Sequence, residues 1–466
     1  MLGSISKTLI ILFVTVLGIF SLSLGMIRHC SSVGIPCSIL SACQLGAVVI
    51  PLSSIDTGIP AQYHSVVGKK ILFISGSLGL GHISRDLAIT RELRKHRTDI
   101  DIHWLAAEPA RSVIEQAGEK LVDEIDLFRN DNVKAESAAK GTRLNLFKYA
   151  FSALNAWLHN AHLVKKIVRH GQYDLLIGDE TYEIIVATVL KRLKLNIPFL
   201  MLYDFLGLDA MSRNPLENFG IYFWNRIWSL DYKVFNREKN IALFIGELED
   251  IPDKRFSLFL PNRRKYALKN YNFVGYVITF EPNDFTDKIG LRHKLGYDER
   301  PLVVCSIGGT SVGRELLDLC GKAYVIAKQK IPNLHMILVC GPRLPKETLD
   351  VPKDQDLEVR QYVPDLHEHF AACDLAVVQG GGTTTLELTA LHRPFIYFPI
   401  EGHSEQEIVV AERLQRHQAG IRMSYSDSTE NSLSDAIVAN IHSRVKYKDV
   451  PIHGAYNVVQ FINKLI

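Results

Sequence analysis

From Lys69 onward, short apolar runs alternate with stretches whose apolar positions recur every three or four residues, the patterns of buried strands and of helices packed on one side. The runs Ile71–Ser75, Ile100–Ala106, Tyr173–Gly178, Phe199–Leu202, Ile241–Ile245 and Tyr271–Val277 are the expected strands of a first series. A polar, Pro-containing linker, EPNDFTDK, then leads to a second series. This begins at PLVVCSIGGTSVGRELLDLC and continues through LHMILVCG, LEVRQYV, CDLAVVQGGGTTTLELTALH and PFIYFPI. Strands alternating with helices predict an α/β protein of two parallel-sheet, Rossmann-like domains, with boundaries at 68–280 and 281–466. The final helix is expected to pack back on the first domain.

Upstream of this the pattern changes. Residues 8–55 carry one formal charge, Arg28, and the uncharged run 8–27 has the roughly 20-residue length that a helix needs to cross a bilayer. A second apolar run at 38–55, containing Pro51 and several serines, is a weaker spanning segment. Residues 1–67 are therefore read as an N-terminal hydrophobic membrane segment, single-span or hairpin. Two other readings stand beside it. Leu40-Ser41-Ala42-Cys43 has the form of a bacterial lipoprotein cleavage box, and a start at Met26 or later would remove the first run.

Composition narrows the classes further. With 47% hydrophobic and 22% charged residues the chain can bury a large core, which excludes a disordered or fibrous protein. The net charge of +3 is too balanced for a protein that works on the phosphate backbone, so nucleic acid is not an expected partner. The charge is unevenly placed: residues 68–280 carry +6 and residues 281–466 carry −4. Basic residues are interleaved with Leu, Phe and Trp at 129–169, and aromatics cluster at 219–235; each stretch is either an interfacial surface or a solvated basic face over an aromatic core. Seven cysteines without scaffold or CxxC spacing indicate a reducing compartment.

Three Gly-rich turns follow expected strands. Gly76-Ser77-Leu78-Gly79-Leu80-Gly81-His82 opens a helix, where missing side chains let a ligand approach the backbone and helix amides face anions. Its spacing is not that of the dinucleotide fingerprint. His82, at the carboxyl edge of the sheet, is placed to take a proton from a hydroxyl, or else to cap the helix. Ser306-Ile307-Gly308-Gly309-Thr310 repeats the design in the second half. Gln379-Gly380-Gly381-Gly382-Thr383-Thr384-Thr385-Leu386-Glu387 combines glycines, hydroxyls and a helix start, a suitable seat for a diphosphate. Glu387, one turn into that helix, is either a ribose acceptor or a capping-box partner of Thr384. A loop bearing Glu401, His403, Glu405 and Gln406 carries groups that read sugar hydroxyls. Asp179, Glu180 and Asp204, at the ends of two first-domain strands, are alternative bases. Asp99-Ile100-Asp101 and Asp354-Gln355-Asp356 have the spacing of metal-binding DxD motifs and are read as coincidence.

The segment Tyr362–Gly420 resembles glycosyltransferase family 28, and the chain as a whole resembles a GT-B glycosyltransferase. The resemblance implies a fold of two Rossmann-like domains facing a cleft, and inverting transfer of a hexose or N-acetylhexosamine from a UDP-sugar. It assigns the donor site to Gly79 and Gly81 of the first turn and to Gly308, Gly309, Thr310, Gly381, Gly382, Thr383 and Thr384 around the diphosphate. Glu387 would bind the ribose, the backbone near Val363 the uracil, and Glu405 and Gln406 the sugar. His82 would be the general base, with Asp179, Glu180 or Asp204 as alternatives. No cofactor and no obligatory metal are implied. The expected partners are a UDP-sugar, a lipid-linked or amphiphilic acceptor, and the cytoplasmic membrane, with the catalytic domains on its cytoplasmic face. A UDP-sugar epimerase of the same fold and a non-catalytic membrane scaffold are the alternatives.

Overall fold

The computed structural model describes residues 68–76, 80–129, 139–140, 143–144, 146–210, 214–235, 238–309 and 312–466. The apolar runs at 8–27 and 38–55, and with them Gly79 and Thr310, lie outside the described residues. Among the described residues no helix is long and apolar enough to cross a membrane.

The first domain is built on β1 (Lys69–Ile74), β2 (Ile100–Leu105) and β3 (Lys120–Leu121), then β6 (Leu175–Asp179), β7 (Phe199–Tyr203), β8 (Asn240–Ile245) and β9 (Asn272–Gly275). The hairpin strands β4 (Ala139–Lys140) and β5 (Arg143–Leu144) stand apart from this sheet. Its order is β3-β2-β1-β6-β7-β8-β9, and every neighbouring pair is parallel. Along each strand, side chains alternate between two cores. Leu72, Ile74, Leu176, Met201 and Tyr203 face one side, and Ile71, Phe73, Ile177, Leu200 and Leu202 face the other. Both faces are covered, which is why these strands read as unbroken apolar runs rather than as alternating ones. Each fully buried Leu, Ile or Phe contributes roughly 1.5–3 kcal/mol.

The second sheet comprises β10 (Leu302–Ser306), β11 (His335–Val339), β12 (Leu357–Arg360), β13 (Leu375–Gln379), β14 (Phe395–Phe398) and β15 (Ile421–Arg422). Its order, β12-β11-β10-β13-β14-β15, is again all parallel. The linker EPNDFTDK is more ordered than its polarity predicts: Pro282–Phe285 forms a 3₁₀ turn, and Asp287 caps the helix Lys288–Lys294 by accepting from the Gly290 amide at 2.9 Å.

The chain then returns to the first domain. The helix Gly454–Leu465 inserts Val458, Val459 and Ile462 among Ile83 and Leu87, in the core beneath the first Gly-rich turn. The Tyr276 amide donates to the Pro451 carbonyl at 2.7 Å, and the Gly454 amide donates to the Tyr276 carbonyl at 2.9 Å. Arg416 of the second domain reaches Asp250 of the first at 2.6 Å, and His417 reaches Glu247 at 3.1 Å. These contacts clamp the two sheets on either side of one cleft.

Candidate functional site

In each sheet the order in which strands are added reverses beside the first strand, between β1 and β6 and again between β10 and β13. Crevices open at such points outside the carboxyl ends of the strands, and that is where the Gly-rich turns lie. The two crevices face each other across a cleft of about 610 Å³. It is lined by Gly81, His82, Asp179, Glu180 and Asp204 from the first domain and by Gly308, Gly309, Val363, Gly381–Thr384, Glu387, Glu405 and Gln406 from the second. The described residues assigned from the sequence to the donor site and as bases meet in this one place, whereas Glu401 does not line it and instead accepts from the Ser426 amide at 3.1 Å.

On the first-domain side, the helix Leu80–His96 presents His82 and Arg85, three residues apart, on one face. The ends of β6 and β7 supply Asp179 and Asp204. Asp179 is fully buried. Burial would raise its pKa, but Arg85 and then His82 hold it below the ordinary carboxylate range. An ionised carboxylate only accepts, so Nδ1–H of His82 donates to Asp179 Oδ2 at 2.8 Å and leaves Nε2 for the cleft. Arg85 donates to Asp179 Oδ1 at 2.5 Å and to Asp204 Oδ2 at 2.7 Å. Burial opposes charging the imidazole, but the Asp179 charge and hydrogen bond outweigh it and bring His82 up to about 9. The helix-cap reading of His82 is thus replaced by a His–Asp pair.

Glu180 behaves differently from the other two carboxylates. Burial, and then the Asp204 and Asp179 charges, push it well above the usual range and favour its protonated form. Its backbone has φ +50, a left-handed conformation costly for a residue with a side chain and met where a site over-determines the backbone. A neutral carboxyl donates rather than abstracts, so Glu180 is not a base in this state. Asp204, held low by Arg85 and His82 against its burial, is bound to Arg85. Only His82 of the four proposed bases has a ring nitrogen free to face a hydroxyl.

On the second-domain side, Gly308 has φ +79, a backbone that favours glycine. Gly341, missed from the sequence, packs against the Gly308 carbonyl so closely that no side chain fits. The helix Gly382–Ala390 starts after Gly381, which makes no side-chain cap. Its first amides therefore have no intrahelical acceptor and face the cleft. Thr384 lies inside the first turn, so Glu387 is not a capping-box partner. Glu387 is 9% exposed, and burial alone pushes it up to about 8. Among the described residues no hydrogen bond or ion pair reaches its carboxyl. Glu405 and Gln406 are not on a loop as expected; they open a π-turn, Glu405–Val410, that runs into the helix Ala411–His417. Such turns concentrate at functional sites. Gln406 accepts from the Ile400 amide at 2.9 Å, leaving its NH₂ group for the cleft.

The first and third Gly-rich turns touch. A Cβ on Gly81 would collide with the Thr383 side chain, and one on Gly309 would lie 2.8 Å from Leu80. Arg85 was not singled out from the sequence, although its spacing from His82 was visible. The two DxD spacings are committed to ion pairs elsewhere. Asp99 binds Arg97 at 2.6 Å, Asp101 binds Lys120 at 2.6 Å, Asp354 binds Lys328 at 2.7 Å and Asp356 binds Arg300 at 2.6 Å.

Two parallel-sheet domains clamped about such a cleft define the GT-B class of glycosyltransferases. Its solved members include the glycotransferase of kitacinnamycin, with a TM-score of 0.54 and 14% identity over 85% of this chain and 95% of that one. The spinosyn rhamnosyltransferase in complex with spinosyn aglycone is similar at a TM-score of 0.51 and 14% identity, again over 85% and 95%. Residues 303–452 match the glycosyltransferase family 28 C-terminal domain. An uncharacterized glycosyltransferase of Methanosarcina mazei is 24% identical over 403 residues, 82% of this chain and 92% of its own length. The UDP-N-acetylglucosamine–N-acetylmuramyl-(pentapeptide) pyrophosphoryl-undecaprenol N-acetylglucosamine transferase of Thermoanaerobacter sp. strain X514 is 22% identical over 358 residues, 74% of this chain and 84% of its own length. The second domain is thus similar to glycosyltransferase family 28, and the chain over most of its length is similar to glycosyltransferases of that kind.

Proposed function

We propose that the chain is an inverting glycosyltransferase moving a hexose or N-acetylhexosamine from a UDP-sugar to the hydroxyl of a lipid-linked or amphiphilic acceptor, at the cytoplasmic face of a membrane. One observation carries this reading. Glu387, a buried carboxyl without a partner among the described residues, stands in the same cleft as the open amides of Gly382–Thr384 and the His82–Asp179 pair. A ribose would supply the hydroxyl donors that Glu387 lacks, and the amides would take the diphosphate.

In the proposed step the acceptor oxygen attacks the anomeric carbon as the bond from that carbon to the phosphate oxygen breaks. The electron pair leaves with UDP, and the acceptor proton passes to Nε2 of His82. Asp179 keeps the ring in the required tautomer and stabilises the imidazolium. Asp179 and Asp204 are both bound to Arg85, and burial pushes Glu180 toward its protonated form. No carboxylate of that cluster stands free to form a sugar ester, which supports a single displacement and hence inversion. Helix amides, placed before the charge develops, neutralise the leaving group without an obligatory metal.

The lipid part of the proposal draws support from the Thermoanaerobacter relative, whose name describes an undecaprenol-linked acceptor. Exposed apolar residues also support it. Phe219, Tyr222 and Phe223 project from the helix Pro215–Trp228, and Leu258 and Phe259 project from a loop tied to it through Asn225. Exposed apolar clusters of this kind mark interaction surfaces. Trp224 and Trp228, grouped with them by sequence, are instead buried and line the cleft. The described part of the 129–169 stretch follows the bland reading: Trp157, Leu163, Val164 and Ile167 enter the core beneath a solvated basic face.

The test is a panel of UDP-sugars and UDP scored by thermal shift, with the best binder then assayed for transfer. Binding of UDP and of one UDP-sugar above the others is expected. Protection by none of them would reject the reading, and turnover to an epimerised donor without acceptor would replace it with the epimerase.

A further inference from the structure

We infer that the acceptor half of the cleft is built for an uncharged alcohol, whose apolar body enters an aromatic chamber of the first domain and whose hydroxyl is met by Glu180 and Tyr182 beside His82. The inference rests on the glycosyl transfer proposed above and narrows its acceptor.

The cleft does not stop at His82. It continues into the first domain between Trp157, Tyr182, Phe205, Trp224 and Trp228, all of which line it. Their rings meet mostly edge to face. Trp157 and Trp224 have centroids 5.2 Å apart, Tyr182 and Trp228 5.1 Å, and Phe205 and Trp228 5.5 Å. Walls of this kind offer broad apolar surface and a few polar edges, the composition of a small-molecule pocket.

Three polar atoms around the chamber are buried without a well-formed hydrogen bond: Trp228 Nε1, Glu180 Oε1 and the Tyr182 hydroxyl, whose nearest polar neighbour is the Glu180 carboxyl. The Glu180 side chain is 7% exposed. Buried polar atoms are nearly always satisfied, so three such atoms around one chamber point to a ligand that satisfies them. Tyr182 and Trp228 each carry a donor, and Glu180 Oε1 adds an acceptor, its carboxyl proton being directed to Asp204. The strained backbone of Glu180 fixes its side chain at the chamber entrance.

Among the described residues, the balance of charge in this half disfavours an anion. Arg85, the buried cation there, is already bound to both Asp179 and Asp204. Asp86 behind it is pushed well above the usual carboxylate range by burial and the Asp179 charge, with Ser75 donating to it at 2.6 Å. Two carboxylates therefore face one guanidinium and one imidazolium. The cluster is neutral with His82 protonated and net negative once His82 is ready to act as base. Arg91 and Arg129 also line the cleft, but both are exposed, where solvent and salt screen their charge. Among the described residues, a phosphate next to the nucleophile would meet no unscreened, uncommitted cation.

Binding can be read directly, because three of the four tryptophans line the chamber and the fourth, Trp104, is stacked on Phe73 in the core. The full chain loaded with UDP is titrated with farnesol and with farnesyl diphosphate, following tryptophan emission. A saturable change with farnesol at a Kd at least tenfold below that of the diphosphate is expected. Tyr182→Phe and Glu180→Gln, both close in shape, should each raise the farnesol Kd about tenfold while the UDP Kd, the control for folding, stays put. Tighter binding of the diphosphate overturns the inference. So does the absence of a saturable change with farnesol in a protein that binds UDP, which would leave the donor reading intact. Failure to bind UDP would overturn the transferase reading and this one with it.

Discussion

Asp179 accepts from Nδ1 of His82 at 2.8 Å and thereby raises the pKa of the group that the proposed reaction needs deprotonated. In the free protein the imidazole loses its proton only as pH passes about 9. Activity, as kcat/KM, should therefore climb with pH and level off above about 9. Stability moves the other way. The folded pKa is raised above that of the unfolded chain, so the imidazolium–carboxylate pair stabilises fully below the ordinary imidazole value near 6.5 and is lost as pH rises through about 9. Asp179→Asn should shift the activity limb to lower pH and cut the plateau by roughly 10²- to 10⁴-fold, since the ring loses its orienting acceptor. A flat profile from pH 6 to 10 would remove His82 from the role.

Glu387 yields a second pH signature. Burial pushes its carboxyl up to about 8, so at pH 7 most of the free protein holds that proton. Ribose hydroxyls favour the ionised form, and UDP binding at pH 7 should release a fraction of a proton, measurable by calorimetry in buffers of different ionisation enthalpy. Glu387→Gln should abolish the release and weaken UDP by about 1–3 kcal/mol. The unfolded chain ionises near the ordinary 4.5 while the folded one holds its proton to about 8. Stability therefore falls across that window, and Glu387→Gln should remove the fall.

The parallel sheets were legible because both faces of each are buried, so β6, β7, β10 and β13 appear as continuous apolar runs. The site was legible where backbone geometry demands particular residues, as at Gly81, Gly308 and Gly381–Gly382. What the sequence could not convey were side-chain relations across long separations. Arg85 meets Asp204 over 119 positions, and Trp157 meets Trp224 over 67. The π-turn at Glu405 was equally hidden, since its polar first turn reads like a loop. Polarity also concealed that Glu180, written beside Asp179, is pushed in the opposite direction from the ordinary carboxylate range.

Arg85 is 7% exposed and is the guanidinium that binds both Asp179 and Asp204. Arg85→Met keeps the apolar stem but leaves two buried carboxylates without that partner. Removing one member of a buried ion-pair network costs on the order of 3–5 kcal/mol, a loss that urea denaturation at pH 7 would register. A change below about 1 kcal/mol would mean that water already compensates the carboxylates.

Gly81 tests the closeness of the two domains. A methyl there collides with Thr383 of the opposite turn, so Gly81→Ala should hold the cleft slightly open and misplace base and donor by a few tenths of an ångström or more. Turnover should drop by roughly 10²-fold, the scale of such misplacements, with UDP affinity reduced less. Adding Thr383→Ala removes the colliding hydroxyl and should restore part of the rate. If the double variant is no faster than Gly81→Ala, the two turns do not meet during catalysis.

The membrane reading is tested apart from the N-terminal segment, because Ser65–Ile466 forms a compact unit of its own. A chain beginning at Val67 still carries Phe219, Phe223 and Phe259, which are 64%, 48% and 85% exposed. Phe259 has φ +62, an unfavourable backbone for an aromatic residue, so the loop holds it outward at a cost in strain. Arg226, Lys254 and Arg255 are exposed on the same helix and loop, where anionic headgroups would meet them as the rings enter the interface. Sedimentation with vesicles containing anionic lipid should recover the shortened chain, less so as salt rises, since screening weakens only the charged contribution. Changing Phe219, Phe223 and Phe259 together to Ser should lower the bound fraction at least tenfold while leaving UDP binding untouched, because none of the three lines the cleft. Equal recovery of parent and triple variant would place the membrane contact elsewhere. If neither sediments and both glycosylate a soluble alcohol at full rate, the acceptor is not drawn from a bilayer.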